Sequence, residues 1–95
     1  MEEKWEFNDG AWWEPSISSI KFPAARGKDR VMCIITHMAL NDYFETEDSE
    51  PMAFENFEKH KGRIHALAVH LIEKKEFNDK GEVFITLDIA NKYAL

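Results

Sequence analysis

Ile17-Ser18-Ser19-Ile20-Lys21-Phe22-Pro23, then Ala24-Ala25-Arg26-Gly27-Lys28-Asp29, then Arg30-Val31-Met32-Cys33-Ile34-Ile35-Thr36-His37 is the stretch on which the fold turns. Its flanks, Ile17 to Pro23 and Arg30 to His37, are rich in β-branched residues and enclose a turn sequence, Ala25-Arg26-Gly27-Lys28. With Arg26 and Gly27 as the turn residues, Phe22 stands opposite Val31, Ile20 opposite Cys33 and Ser18 opposite Ile35. Phe22, Ile20, Val31, Cys33 and Ile35 then share one face, and Lys21, Ser19 and Thr36 the other. A one-residue slip would mix the two sets, so the alternation itself supports a hairpin. A bulged three-residue loop stays open as the alternative, because Arg-Gly is a weaker turn pair than Asn-Gly.

On the N-terminal side, Asn8-Asp9-Gly10 marks a turn after the aromatic segment Trp5 to Phe7. Trp5, Phe7, Trp12 and Trp13 crowd together there, enough for an extra strand and for a hot spot. On the C-terminal side, Thr36 can cap a short helix through Met38, Leu40, Tyr43 and Phe44. Pro51 suits a first helical turn, and the spacing stays helical from there to about Lys75. Ala53, Phe54, Phe57, Ile64, Leu67, Ala68, Leu71 and Ile72 fall on one arc of that helix. Asn78-Asp79-Lys80-Gly81 ends it, and Glu82 to Asp88 reads as a strand with Val83, Ile85 and Leu87 on one face. The expected fold is α+β, in the order β-β-α-α-β. A small, mainly antiparallel sheet of three or four strands carries one short and one long helix on one face.

At 95 residues with 44% apolar side chains, there is material for one core, so residues 1–95 are read as a single domain. The longest apolar run is Val31 to Ile35, against roughly 20 residues needed to span a bilayer. Met1-Glu2-Glu3-Lys4 opens acidic and leads into no apolar stretch, so no secretory signal is read there. A single cysteine, Cys33, excludes an internal disulfide and a cysteine-based zinc site. These features together lead us to expect a cytoplasmic protein with no membrane contact.

The net charge of −6 is concentrated. Between Asn41 and Glu58 stand seven acids and no Lys or Arg, so the rest of the chain carries only +1. Such a balance repels phosphate backbones unless a basic patch is segregated. Arg26, Lys28 and Arg30 at the hairpin tip form the one dense basic cluster, and they supply the nucleic-acid alternative.

Catalytic and metal chemistry find little support. His60, His65 and His70 are five residues apart, so each is rotated about 140° from the last and they do not converge on one ion. His60 points into the apolar arc, between Leu67 and Leu71, as a rim or core histidine does. Cys33 lies on the core face, where a thiol is inert. No Gly-rich phosphate loop, nucleophile elbow or His-Glu-x-x-His occurs. We therefore expect no enzyme, no cofactor, no metal and no catalytic residue. Gly62, Ala66 and Val69 form a small-residue strip away from the main apolar face, open to another backbone of this chain or of a second one.

Phe7-Asn8-Asp9, Trp12 or Trp13, Ile20-x-Phe22-x-Ala24-x-x-Gly27, Val31-x-Cys33-x-Ile35 and Leu40-x-x-x-Phe44 occur in this order. They resemble the opening half of the small bacterial proteins grouped as domain of unknown function 1488. Phe57-x-x-His60-x-x-Arg63-Ile64 and Gly81-x-Val83-x-Ile85-x-x-Asp88 are similar to the second half. The resemblance covers nearly the whole chain. It implies a free-standing α+β domain of the bacterial cytoplasm and carries over no activity. It marks His60 and Arg63 as surface candidates, while Lys61 departs from the arginine expected beside His60.

The leading functional expectation is a small interaction module, homodimeric, with Trp5, Trp12, Trp13 and Phe84 as its contact surface. The strand Glu82 to Asp88 has charge only at its ends, so at a sheet edge it would be poorly protected against pairing. Two alternatives stand beside it. One is a regulatory factor touching nucleic acid through Arg26, Lys28 and Arg30. The other is a small-ligand binder or enzyme using His60 and Arg63.

Overall fold

The computed structural model describes residues 4–95, so the Met1 to Glu3 opening lies outside it. Among these residues run six strands: β1 (Trp12–Glu14), β2 (Ser19–Lys21), β3 (Ala24–Arg26), β4 (Asp29–Val31), β5 (Cys33–Thr36) and β6 (Val83–Ile85). Four helices accompany them: α1 (His37–Asn41), α2 (Glu50–Lys59), α3 (Lys61–Glu73) and α4 (Leu87–Lys92). The main sheet has the order β1-β2-β5-β6, and β3-β4 form a separate two-stranded ribbon. Every pairing is antiparallel except β5 with β6. The fold is α+β with a mainly antiparallel sheet, as the alternation and helical spacing predict.

The hairpin forms with a different register. Arg26 pairs with Asp29, so Gly27 and Lys28 are the turn residues, and Gly27 takes the positive φ of 59°. Glycine thus fills the first central position of the turn, the place where a two-residue hairpin loop tolerates it best. Ile20 consequently faces Ile35 instead of Cys33, and the Phe22 amide donates to the Cys33 carbonyl at 2.8 Å. The shift is by two residues, and side chains alternate with a period of two. Ile20, Phe22, Cys33 and Ile35 therefore still share the buried face, with Val31 packed at its border. Ser19, expected on the face opposite the core set, is fully buried next to a 3-10 turn, Pro15–Ile17. Its hydroxyl donates to the Ile17 carbonyl at 2.8 Å.

The expected long helix is two helices. At His60 the backbone leaves helical geometry (φ −112°, ψ 22°), closing α2 and opening α3. The ladder runs through the bend, from the His60 amide to Asn56 and from the Ile64 amide to His60, both 3.0 Å. An unbroken helix from residue 51 to 75 would be about 37 Å long, far beyond strands of three or four residues. The bend folds both halves of the apolar stripe onto the same core. Ala53, Phe57, Ile64, Leu67, Ala68, Leu71 and Ile72 are buried there, and Phe54 is packed against it.

The expected strand Glu82 to Asp88 stops at Ile85. The Thr86 hydroxyl accepts from the Ile89 amide at 3.3 Å and caps α4, as Thr36 accepts from Ala39 at 3.0 Å to cap α1. Capping removes residues 86–88 from the sheet. So β6 is indeed an edge strand, but only three residues long, and it offers little backbone for pairing with another chain. Gly62 stands in the first turn of α3 and has open space where a Cβ would lie. Of its strip, Gly62 and Ala66 are exposed and Val69 is half-buried.

Candidate interaction surface

The pairing of β1, β2, β5 and β6 sorts their side chains onto two faces. Trp13 pairs with Ile20, and Ile20 with Ile35, so these point to the helices, where Trp13 meets Phe54 of α2 with ring centroids 6.4 Å apart. Their neighbours point the other way. Trp12 pairs with Lys21, Lys21 with Ile34 and Ile34 with Phe84, so one row of four side chains crosses the whole outer face.

This outer face mixes exposed apolar side chains with polar ones, and Ile34 and Ser19 within it are buried. Trp12 and Ile17 are 40% exposed and Met38 is 49% exposed. Two shallow grooves lie on it and meet at Ile17. One of about 370 Å³ has Ile34 and Phe84 within its lining, with Ser16, Ile17 and Lys21 from one side and the Asn78–Glu82 turn from the other. The second, of about 420 Å³, is lined by Ile17, Thr36, His37, Met38, Thr86 and Leu87 among others. The turn is stiff: the Asn78 side-chain oxygen accepts from the amides of Lys80 and Glu82 at 3.0 and 2.9 Å. Charges on the face lean acidic, with Lys21 and Lys80 against Glu14, Asp79, Glu82 and Asp88. Lys21 lies 3.9 Å from Glu14 across two strands, and Lys80 stands beside Asp79 and Glu82.

The four expected contact residues do not lie on one face. Trp12 and Phe84 share the outer face, Trp13 faces the core, and Trp5 is half-buried with the Arg26 guanidinium 4.6 Å above its ring. Sequence reading missed Ile17 and Met38, because Ile17 was placed in a strand and Met38 in the apolar pattern of α1. The signal for Ile17 was Pro15, which ends β1 and starts the 3-10 turn.

The basic hairpin tip is partly neutralised: Arg30 binds Asp9 at 2.7 Å and Arg26 lies 3.9 Å from Asp29. Lys28 is exposed at the turn. His60 and Arg63 do come together, on Phe44. The His60 ring stacks on it at 3.8 Å, inclined by 5°, and the Arg63 guanidinium lies 5.8 Å from its centre. Arg63 also donates to the Leu95 carbonyl. Burial, then the charges of Arg63 and Lys59, push the His60 pKa below its ordinary value. Both side chains thus hold the bend between α2 and α3 and the chain around Leu95.

Four further titratable side chains are packed or paired within the fold. His65 stacks on Phe7 at 3.9 Å, and burial first, then Lys61, push its pKa down against a smaller opposing effect of Glu58. Burial pushes the Cys33 thiol up to about 12. His37 bonds to Asp48 at 2.8 Å, and the His37 and Asn41 hydrogen bonds lower the Asp48 pKa. Among the described residues, no three His, Cys, Asp or Glu side chains gather where a metal ion could be held. No described helix is long and apolar enough to cross a membrane.

Comparison with known proteins agrees with this architecture. A crystal structure of a protein of unknown function from the DUF1488 family of Shewanella loihica PV-4 superposes with a TM-score of 0.80. It shares 23% identity and covers 90% of this chain and 94% of its own, a likeness of fold. No curated protein matches. The family model described as protein of unknown function (DUF1488) matches residues 6–85, most of the chain. The chain therefore belongs to the DUF1488 family.

Proposed function

We propose that this chain is a small cytoplasmic interaction module that pairs with a second copy of itself and acts by contact, not by catalysis. The observation that carries this is the outer sheet face, with Trp12, Ile17 and Met38 open to solvent around two grooves. Exposed large apolar side chains around a groove are common at contact sites, and Trp is among the residues enriched there.

Charge sets the salt dependence of that pairing. The acidic stretch from Asp42 to Glu58 lies in the loop after α1 and in α2, and its Asp48 bonds His37 at the second groove. The face carries Lys21 and Lys80 against Glu14, Asp79, Glu82 and Asp88, so pairing of two copies there should tighten as salt screens the acidic excess. Size sets the strength. Four strands and about six residues of groove give a footprint of about 20 Å by 20 Å, or roughly 400 Å². Tight complexes bury about 800 Å² per partner, so the expected pairing is micromolar. Phe84→Lys should abolish concentration-dependent elution in size exclusion, while Lys28→Glu on the hairpin tip leaves it unchanged. Equal behaviour of both variants and the parent would refute the assignment.

A further inference from the structure

We infer that the groove around Met38 receives a cationic, apolar segment of a different protein, whose apolar side chain enters the groove while its Lys or Arg residues meet the acidic rim. This occupant is distinct from a second copy of the chain, and it sits on the α1 and α4 side of the face. The groove of about 420 Å³ differs in chemistry from the one beside β6. Its apolar lining is Ile17 from the 3-10 turn, Met38 from α1 and Leu87 from α4. Met38, 49% exposed, is the most exposed large apolar side chain among the described residues. An unbranched thioether adapts to apolar partners of varied shape, which suits a docking groove.

Charge identifies the partner that fits. No Lys or Arg lines this groove, whereas Asp88 does. His37, also in the lining, is tied to Asp48 at 2.8 Å, so the acidic loop starts at the edge of the groove. From Asn41 to Glu50 the chain carries Asp42, Glu45, Glu47, Asp48 and Glu50, all of them exposed. Among the described residues only Asp48 of these forms an ion pair, and Asp88 forms none. The loop is also held in place. Asn41 donates to Asp48 at 3.2 Å and to the Ser49 carbonyl at 3.1 Å, and Asn56 donates to Thr46 at 2.8 Å. Fixed, unpaired carboxylates beside an apolar groove are complementary to Lys and Arg, and binding pays little to order them. The same excess repels phosphate backbones and opposes a second copy at low salt. One apolar anchor with a charged rim is a small, transient type of contact, so the expected affinity is micromolar.

Salt separates this contact from self-pairing. Binding of a cationic segment weakens as salt rises, whereas pairing of two acidic faces tightens. Three labelled helical peptides serve as probes in fluorescence anisotropy. One carries leucines at i, i+3 and i+7 among lysines; the second has glutamates for the lysines, and the third alanines for the leucines. The lysine–leucine peptide should bind at least tenfold more tightly than either control and weaken steadily with added salt. Met38→Ala should weaken that binding at least threefold, and Glu47→Gln with Asp88→Asn should flatten its salt dependence. If Met38→Ala does not melt cooperatively, Ile17→Ala replaces it with the same expectation. No binding, equal binding of any control peptide, or binding that neither Met38→Ala nor Ile17→Ala weakens overturns the inference. Sedimentation of the protein without peptide reads self-pairing separately: a monomeric parent that binds the lysine–leucine peptide refutes self-pairing and leaves this inference standing.

Discussion

Asn56 is the buried side chain whose loss should cost this fold most for its size. It sits on α2, 3% exposed, and its amide nitrogen reaches three oxygens: Thr46 Oγ1 at 2.8 Å, the Leu40 carbonyl at 3.2 Å and Asn41 Oδ1 at 3.3 Å. Asn41, itself fully buried, passes the connection on to Asp48 at 3.2 Å and the Ser49 carbonyl at 3.1 Å. Two side-chain amides thus tie the acidic loop to α1 and α2. In Asn56→Ala, the buried Leu40 carbonyl loses its side-chain donor, and the Asn41 oxygen keeps only the long 3.5 Å bond from the Thr46 hydroxyl. Each lost bond costs about 1 kcal/mol net, and each orphaned buried group about 1–3 kcal/mol. Some relaxation of the loop offsets this, so the expected destabilisation is about 3 kcal/mol. That is a large share of the roughly 5–10 kcal/mol total for a domain of this size. With a urea slope of about 1.5 kcal/mol/M, the midpoint should fall by about 2 M. Urea unfolding followed by circular dichroism reads this directly. A midpoint within 0.3 M of the parent would refute the claim that Asn56 anchors the loop.

The capping threonines give a smaller, parallel effect: Thr86→Ala should cost about 1 kcal/mol by losing the bond to the Ile89 amide, and Thr86→Ser should restore most of it. His65 makes a pH prediction. Its folded pKa lies below its ordinary value, so the folded state binds its proton less readily than the unfolded chain. Stability should decline as pH falls through about 6.5 and level off below the folded pKa. Thermal melts from pH 8 to 5 should show this decline in the parent and a flatter profile in His65→Phe; identical profiles would sink the idea. Asp48 and Glu76, both lowered, lose their stabilising contribution only in more acidic solution, as pH falls through their folded pKa values. Cys33, buried and raised to about 12, should resist a thiol-specific reagent at pH 8 until the protein unfolds. Rapid stoichiometric labelling of native protein would contradict its placement.

The elements that formed as read are those fixed by period. The face shared by Ile20, Phe22, Cys33 and Ile35 is set by alternation, which survives a register shift of two. The helical arc from Ala53 to Ile72 survives a bend for a similar reason, since both halves still meet one core. What the sequence concealed depends on single residues competing with a pattern. Thr86 sits in a β-branched run yet caps a helix, and nothing local distinguishes those roles until α4 has something to pack on. His60 lies within a continuous helical pattern, and its bend is held by Phe44, sixteen positions earlier. The tryptophan cluster was legible as a group and not in its parts. Trp12 and Trp13 are neighbours in β1, so the pleat sends them to opposite faces.

The central claim, that the outer sheet face pairs with a second copy, is tested most directly by sedimentation equilibrium of the parent protein from about 5 to 200 μM, together with Phe84→Lys. The parent's average mass should rise from 11.1 kDa toward twice that value over the micromolar range, while the variant stays at the monomer mass and melts normally. A parent that remains a single 11.1 kDa species at 200 μM would contradict the account.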